Sequence, residues 1–154
     1  DLHSFPTRRS SDLLFDTAVN EKAQQLIDNF STTVPFEFIQ NHPFEKNSEL
    51  FNRGDLFVAA ERHAGWSNTV CEAMACGLPV IATQAGTKDL LIDNETGLLT
   101  KRYVFLFRRK IKKLIEDEAL RTRLGQNAYK HVQKFDWHQL ALRIQEYLMK
   151  TNDV

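Results

Sequence analysis

The spacing of apolar residues changes repeatedly along this chain, and each change marks an element. Over residues 17–30, Ala18, Ala23, Leu26, Ile27 and Phe30 stand close to helical spacing, which predicts a helix. FEFI (36–39) is short, aromatic and β-branched, bounded by Pro35 and the polar QNHP, and predicts a strand. Residues 45–53 predict a short helix presenting Leu50 and Phe51. DLFVAA (55–60) is a continuous apolar run after Gly54, the pattern of a strand covered on both faces. A helix follows from Ser67 to Cys76, closed by Gly77 with Pro79 two residues beyond. PVIAT (79–83) is a second strand of the buried type, and GLLT (97–100) a short third one after the turn-like DNETG. From Tyr103 the chain reads as helical. Residues 103–116, 119–133 and 138–150 each carry an apolar stripe, including Ile111, Leu114 and Ile115, then Leu120, Leu124, Ala128 and Val132. Asp136 suits the N-cap of the last helix.

Strands and helices that alternate over such short connections imply a parallel α/β sheet with right-handed crossovers. Residues 14–154 are assigned to this one domain. Residues 1–13, DLHSFPTRRSSDL, are polar, are broken by Pro6 and show no apolar period. They read as a disordered linker or terminus, or as non-native residues, since the string resembles translated sequencing adapter. The second reading is preferred, and the segment is set aside from the fold.

Composition narrows the class. The 154 residues carry 20 Lys+Arg against 20 Asp+Glu, 42% hydrophobic and 26% charged residues. A domain of this size buries about 70% of its unfolded surface, so a packed core is expected. Zero net charge removes the electrostatic footprint of a general nucleic-acid binder. No apolar run approaches the ~18 residues that span a bilayer, and the first residues lack the basic-then-apolar pattern of a signal peptide. Cys71 and Cys76 are five apart, too far round a helix for a disulfide, and have no second Cys/His pair at metal spacing. A cytoplasmic location is expected. A chain that begins at Asp1 reads as a piece of something longer.

Ligands of open parallel sheets bind at the carboxyl ends of the strands, beside the following helix starts. Strand 55–60 delivers the loop Glu61–Trp66, and a helix starts near Ser67 or Asn68. Its first N–H groups and its dipole form an anion site suited to phosphate. Gly65 permits close backbone approach, and Glu72, one turn into the helix, could accept bonds from a ribose diol. The same residues also have a purely structural account. Thr69 and Glu72 fit a T-x-x-E capping box, Trp66 could be core, and Gly65 a simple turn.

The segment VAAERHAGWSNTVCEAMACGLPVIATQAGTKDLLIDNETGLL (58–99) resembles the donor-site segment of family 4 retaining glycosyltransferases, whose pattern is PSxxEGFGxxxxEAMACGxPVIAtxxGGxxExixdxxtGxLv. The likeness extends over about residues 20–150, including DLFV and the region 116–148 with Phe135-Asp136-Trp137 where members read F-S-W. It implies the C-terminal half of a GT-B fold: a partial Rossmann-like parallel sheet with helices on both faces and C-terminal helices. It also implies a nucleotide diphosphate sugar as donor, no metal or other cofactor, and transfer of the sugar to an acceptor hydroxyl with retention. Glu72 matches the second glutamate of the E-x7-E motif, which binds the ribose hydroxyls. The backbone of Ser67, Asn68 and Thr69 matches the loop that holds the diphosphate, and Phe38 and Ile39 fall near the base-contacting strand. Ala64 stands where the motif's first glutamate contacts the donor sugar, and Glu61 lies three residues too early to be its equivalent without a loop rearrangement. Sugar recognition would then rest on Trp66 or on main-chain donors near Gly65 and Gly86; a subgroup reading ERxAGWxNT shares the alanine. The family's diphosphate-binding Arg and Lys, and its N-terminal acceptor domain, would precede this chain, so the fragment alone is expected to be inactive and to bind donor weakly.

Other features have plainer readings. His63 and His131 suggest general bases, but the assisting histidine of the family belongs to the acceptor domain, and His63 is expected in a surface loop. Arg108, Arg109, Lys110, Lys112 and Lys113 beside Phe105, Leu106 and Phe107 could touch anionic lipid at a membrane, because several relatives use lipid-linked acceptors; a solvated helix face paired with Glu116, Asp117 and Glu118 is preferred. Asp89 lies in a GTKD turn where relatives often carry Glu, and charge at a helix N-terminus explains it. The last helix would cross toward the acceptor domain and leave apolar residues exposed. The rivals are another GT-B enzyme, an epimerase or a phosphorylase, and a non-catalytic nucleotide-sugar-binding module.

Overall fold

Three short apolar segments pair side by side: Phe57–Ala59 (β1), Val80–Ala82 (β2) and Leu98–Leu99 (β3) form a parallel sheet in that order. The register sets Val58 opposite Ile81 and Ile81 opposite Leu98. The computed structural model describes residues 42–151 together with residues 21, 24, 25, 28, 29, 31, 33, 35, 37 and 39. Residues 1–13 and the apolar positions Ala18, Ala23, Leu26, Ile27 and Phe30 lie outside the described residues, whereas positions 21, 24, 25 and 28 are helical.

Helices cover both faces of the sheet because its strands are apolar on both sides. Asn68–Ala75 (α2) packs Val70, Ala73 and Met74 on one face with Ala59, Val80 and Ala82. Val104–Glu116 (α3) packs Phe107 and Leu114 on the other with Ile81 and Leu98. Glu118–Val132 (α4) joins the two layers, giving Leu124 to one cluster and Ala128 and Val132 to the other. Each Val, Leu, Ile or Met side chain fully buried among these contributes about 1.5–3 kcal/mol. Ahead of β1, one 3-10 turn (Phe44–Lys46) leads into Asn47–Phe51 (α1), whose Phe51 meets Phe57 edge-on at 5.4 Å.

The predicted punctuation operates. α2 ends in a double closure, Gly77 N–H donating to Met74 O and Leu78 N–H to Ala73 O, around Gly77 at φ +73°. Asp117 caps α4 by accepting from Leu120 N–H at 2.8 Å, and Asp136 accepts from His138 N–H at 2.7 Å at the start of Trp137–Thr151 (α5). The DNETG turn places Asn94 at φ 63° and returns Leu99 N–H to Asp93 Oδ1 at 2.8 Å. α5 exposes Ile144 and Met149, as expected of the last helix.

Three expectations are corrected. FEFI does not give a strand at its described positions Glu37 and Ile39: Ile39 is exposed, and Glu37 turns out to an ion pair with Arg53 at 2.6 Å, so no ladder neighbour holds it. Phe36 and Phe38 lie outside the described residues. β1 is not covered on both faces, because α3 lies over Ile81 and Leu98 and leaves Val58 37% exposed. Asp89 lies in a turn, as GTKD predicts, but no helix starts there to explain its charge, since the Leu90 and Leu91 N–H groups both return to Thr87 O.

α4 runs flush against the turn that closes α2. A Cβ built on Gly125 would come within 2.2 Å of the Gly77 carbonyl oxygen. Glycine to alanine inside a helix ordinarily gains about 1 kcal/mol. Here Gly125→Ala is expected to reverse that sign and lose about 1–3 kcal/mol through overpacking. Urea unfolding of the two proteins checks it; a stabilised variant would show α4 free to move outward.

Candidate functional site

Parallel strands send the segments after β1, β2 and β3 to the same edge of the sheet, so residues far apart in sequence meet there. The β1 and β2 segments are joined directly. Ser67 N–H donates to Gly86 O at 2.9 Å. Gly86 sits at φ +70°, and a Cβ there would lie 2.7 Å from the Ala64 methyl carbon. Alanine at 64 and glycine at 86 are therefore one packing solution. The segment after β3 adds Arg102, whose Nε–H donates to Ala60 O at 3.1 Å. Thr83 Oγ–H donates to Glu61 O at 2.6 Å.

A cavity of about 760 Å³ opens among these ends, lined by Glu61, Arg62, Thr83, Asp93, Lys101 and Arg102 among others. Ser67 is the N-cap of α2, but its hydroxyl does not cap the helix. It donates instead to Glu61 Oε1 at 2.9 Å and lies 3.3 Å from Thr69 Oγ1. The Glu61 carboxylate is thereby held at the positive end of the α2 dipole.

Glu72 lies just over one turn into α2 on its buried side, 3% exposed, where its Oε2 accepts from Asn47 Nδ2 at 2.8 Å. This excludes the capping-box account, because Ser67 and not Thr69 is the N-cap and the glutamate faces α1. Burial raises the Glu72 carboxyl above its ordinary value of 4.5, and the Asn47 bond offsets part of the rise. Cys71 beside it is a free thiol pushed up to about 12 by burial.

The expected site residues are thus near one another but not equivalent. Ala64, Gly65, Trp66, Ser67, Asn68 and Thr69 form one continuous turn into α2. The Ser67 N–H of the expected diphosphate cradle is already engaged by Gly86, because the two loops close on each other there. Nothing lies within 4 Å of a Cβ built on Gly65, which faces outward. Trp66 is not core: it is half-exposed and packs edge-on against Phe135 at 5.3 Å. Glu72 does not line the cavity at the strand ends. Asn47, Lys101 and Arg102 carried no signal in sequence, since pairing across 25 residues (Asn47 to Glu72) or 42 (Arg102 to Ala60) exists only in the fold.

The remaining candidates sort simply. His63 is exposed in the loop. His131 packs on Phe135 at 5.7 Å, and burial, then Lys134, lowers its basicity. On α3, Lys112 pairs with Glu116 at 3.6 Å, and Phe107 is buried while Phe105 is exposed. Among the described residues no helix is long and apolar enough to cross a membrane, and no three His, Cys, Asp or Glu side chains gather to hold a metal ion.

A parallel sheet with helices on both faces and a cavity at its strand ends defines an α/β domain. The family model described as glycosyl transferases group 1 matches residues 16–131, and the chain belongs to that family. A glycosyltransferase of Methanocaldococcus jannaschii is 28% identical over 147 residues, 92% of this chain and 42% of that protein. A capsular polysaccharide biosynthesis glycosyltransferase of Staphylococcus aureus is 33% identical over 109 residues, 66% of this chain and 29% of that protein. Among solved structures, sucrose-phosphate synthase of Thermosynechococcus elongatus, a GT-B protein, superposes with a TM-score of 0.75 at 24% identity, covering 88% of this chain and 35% of that one. Anabaena HepE in complex with UDP gives 0.59 at 28% identity over 66% of this chain and 29% of its own. The chain spans less than half the length of the curated relatives it matches.

The raised Glu72 carboxyl has a consequence for stability. The native state holds that proton more tightly than the unfolded chain, so its contribution is full below 4.5 and is lost as pH rises toward the native value. Glu72→Gln keeps an acceptor for Asn47 and removes the charge. Urea unfolding at pH 4 and pH 7 is expected to show the variant gaining on the wild type as pH rises; a constant difference would mean the carboxylate is already fully compensated.

Proposed function

We propose that this chain is the donor-binding part of a family 4 glycosyltransferase, which moves a sugar from a nucleotide diphosphate to an acceptor hydroxyl with retention. The observation that carries the reading is the closure of the β1 loop onto Gly86 at the start of α2. It gathers a helix N-terminus, an outward-facing glycine and a half-exposed tryptophan at the carboxyl ends of three parallel strands. In this reading the diphosphate lies along the turn from Gly65 to Thr69, where the dipole favours anions without a metal. Asn47 engages Glu72 Oε2, so Oε1 is the oxygen assigned to the ribose diol. Trp66 flanks the sugar, with Ala64 and Gly86 setting the depth of the turn. A uridine nucleotide is the natural first probe, since HepE, at 28% identity, is seen with UDP.

The acceptor side, with the cations that neutralise the leaving diphosphate, is assigned to the part of the parent protein that this chain does not span. These 154 residues should bind donor weakly and not turn it over. The acceptor is a glycan or lipid in this reading. Thiol cysteines agree with a reducing, cytoplasmic setting, and the cationic outer face of α3 with peripheral contact at the inner membrane surface. Residues 1–13 are assigned as non-native.

Calorimetry with UDP and 2′-deoxy-UDP separates a ribose contact from a packing role. A hydrogen bond to a charged group is worth about 1.5–3 kcal/mol. Glu72→Ala is therefore expected to weaken UDP about tenfold or more and to erase the preference for UDP over its deoxy analogue. An unchanged preference would leave Glu72 as a buried partner of Asn47 alone.

A further inference from the structure

The cavity at the strand ends carries more positive than negative charge, and its cations reach it from two separate loops. Arg62 comes from the loop after β1, and Lys101 and Arg102 come from the segment after β3. The two carboxylates that line the cavity are spent on the protein itself. Asp93 Oδ1 accepts from Leu99 N–H at 2.8 Å, its Oδ2 accepts from Asn94 Nδ2 at 2.9 Å, and Lys110 Nζ lies 4.0 Å away. Glu61 Oε1 accepts from Ser67 and its Oε2 is buried, so that charge is turned into the loop and away from the cavity. Among the described residues, no carboxylate pairs with Arg62, Lys101 or Arg102.

The segment that carries two of these cations is held in place. Arg102 Nε–H donates to Ala60 O at 3.1 Å, Tyr103 N–H donates to Lys101 O at 2.8 Å, and the Thr100 hydroxyl donates to that same oxygen at 3.3 Å. It runs directly into α3, whose N-cap is Tyr103 and whose first turn holds no acidic residue. A helix start is itself positive, so Lys101 and Arg102 stand where cations are disfavoured and Asp or Glu would be stabilising. Like charge fixed by hydrogen bonds within a concave site is relieved by an anion that enters it.

We propose that Arg62, Lys101 and Arg102 form an anion subsite that takes the phosphate group of a phosphorylated acceptor. It is separate from the turn assigned to the donor diphosphate, since none of Gly65, Trp66, Ser67, Asn68 or Thr69 lines this cavity. Two guanidinium forks and an ammonium suit the three oxygens and nearly double charge of a phosphate monoester better than the single charge of a carboxylate. At about 760 Å³ the cavity has room for a sugar beyond the phosphate. The anion subsite stands on the charge of the cavity, whereas its assignment to the acceptor rests on the donor-site reading above.

The test is an NMR titration of the full 154-residue chain with glucose-6-phosphate, glucuronate, glucose and UDP, for wild type, Lys101→Gln and the double variant Arg62→Gln/Lys101→Gln. The sugar phosphate is expected to move the amide signals of Thr100–Tyr103 equally with and without UDP, and glucose to leave them in place. Glucuronate is expected to bind about tenfold more weakly, and the double variant to lose about tenfold for the sugar phosphate with UDP binding unchanged. Circular dichroism melts check folding, and Lys101→Gln alone decides the matter if the double variant does not fold. Sedimentation with phosphatidylcholine vesicles, with and without phosphatidate, identifies the source: binding lost in the variants assigns the phosphate to a lipid, and binding of the sugar phosphate alone assigns it to a soluble acceptor. Binding of neither phosphate, displacement of the sugar phosphate by UDP, or affinities untouched by the substitutions overturn the subsite. A chain that binds the sugar phosphate here but no UDP keeps the subsite and overturns the donor reading, and with it the assignment to an acceptor.

Discussion

The hydrogen bond from Ser67 N–H to Gly86 O is the constraint around which this end of the molecule is organised. Parallel strands alone deliver three loops to one edge without fixing their relation. This bond fuses two of them, and the fusion is possible only because residue 86 has no side chain and residue 64 has a methyl group. It consumes an N–H that would otherwise face an anion. The start of α2 gains a fixed position, with Gly65, Trp66 and Thr69 exposed around the buried Ser67. A larger side chain at 64 would force the loops apart, so the alanine and the geometry of the cavity belong together.

Much of the fold is legible in the sequence because it rests on local chemistry. PVIAT reads as a buried strand and is one, since Val80, Ile81 and Ala82 meet side chains on both faces. The end of α2 follows from Gly77, and the start of α5 from Asp136, each through hydrogen bonds spanning a few residues. What failed depends on neighbours. FEFI has strand composition, yet its described positions Glu37 and Ile39 join no ladder, and Glu37 pairs with Arg53. DLFVAA has the apolarity of a covered strand, but coverage of Val58 requires a helix that α3 does not provide.

The site divides along the same line. The continuous turn Ala64–Thr69 and the helix after it are visible because adjacency in sequence guarantees adjacency in space. The partners that decide what each side chain can do are distant: Asn47 for Glu72, Arg102 for the backbone of Ala60, Thr83 for that of Glu61. Spacing suggested a capping role for Glu72, and only the approach of α1 shows that its carboxylate is buried against an amide. The sequence likewise placed Glu61 outside the expected motif, whereas the fold sets it at the rim of the cavity.

Trp66 extends the consequences of that loop to the far end of the chain. Its ring meets Phe135 edge-on at 5.3 Å, and Phe135 in turn meets His131 at 5.7 Å. Phe135 closes the 3-10 turn Gln133–Phe135, immediately before the residue that caps α5. The direction in which α5 leaves the domain is therefore set by an aromatic contact with the same loop that Gly86 anchors. Burial, then the nearby Lys134 charge, lowers the basicity of the His131 imidazole at the end of this aromatic row. A shift of the Ala64–Ser67 turn would reach this junction through the Trp66–Phe135 contact, where Arg143 of α5 also donates to Lys134 O at 3.0 Å, while the strands beneath are locked by packing on both sides of β2.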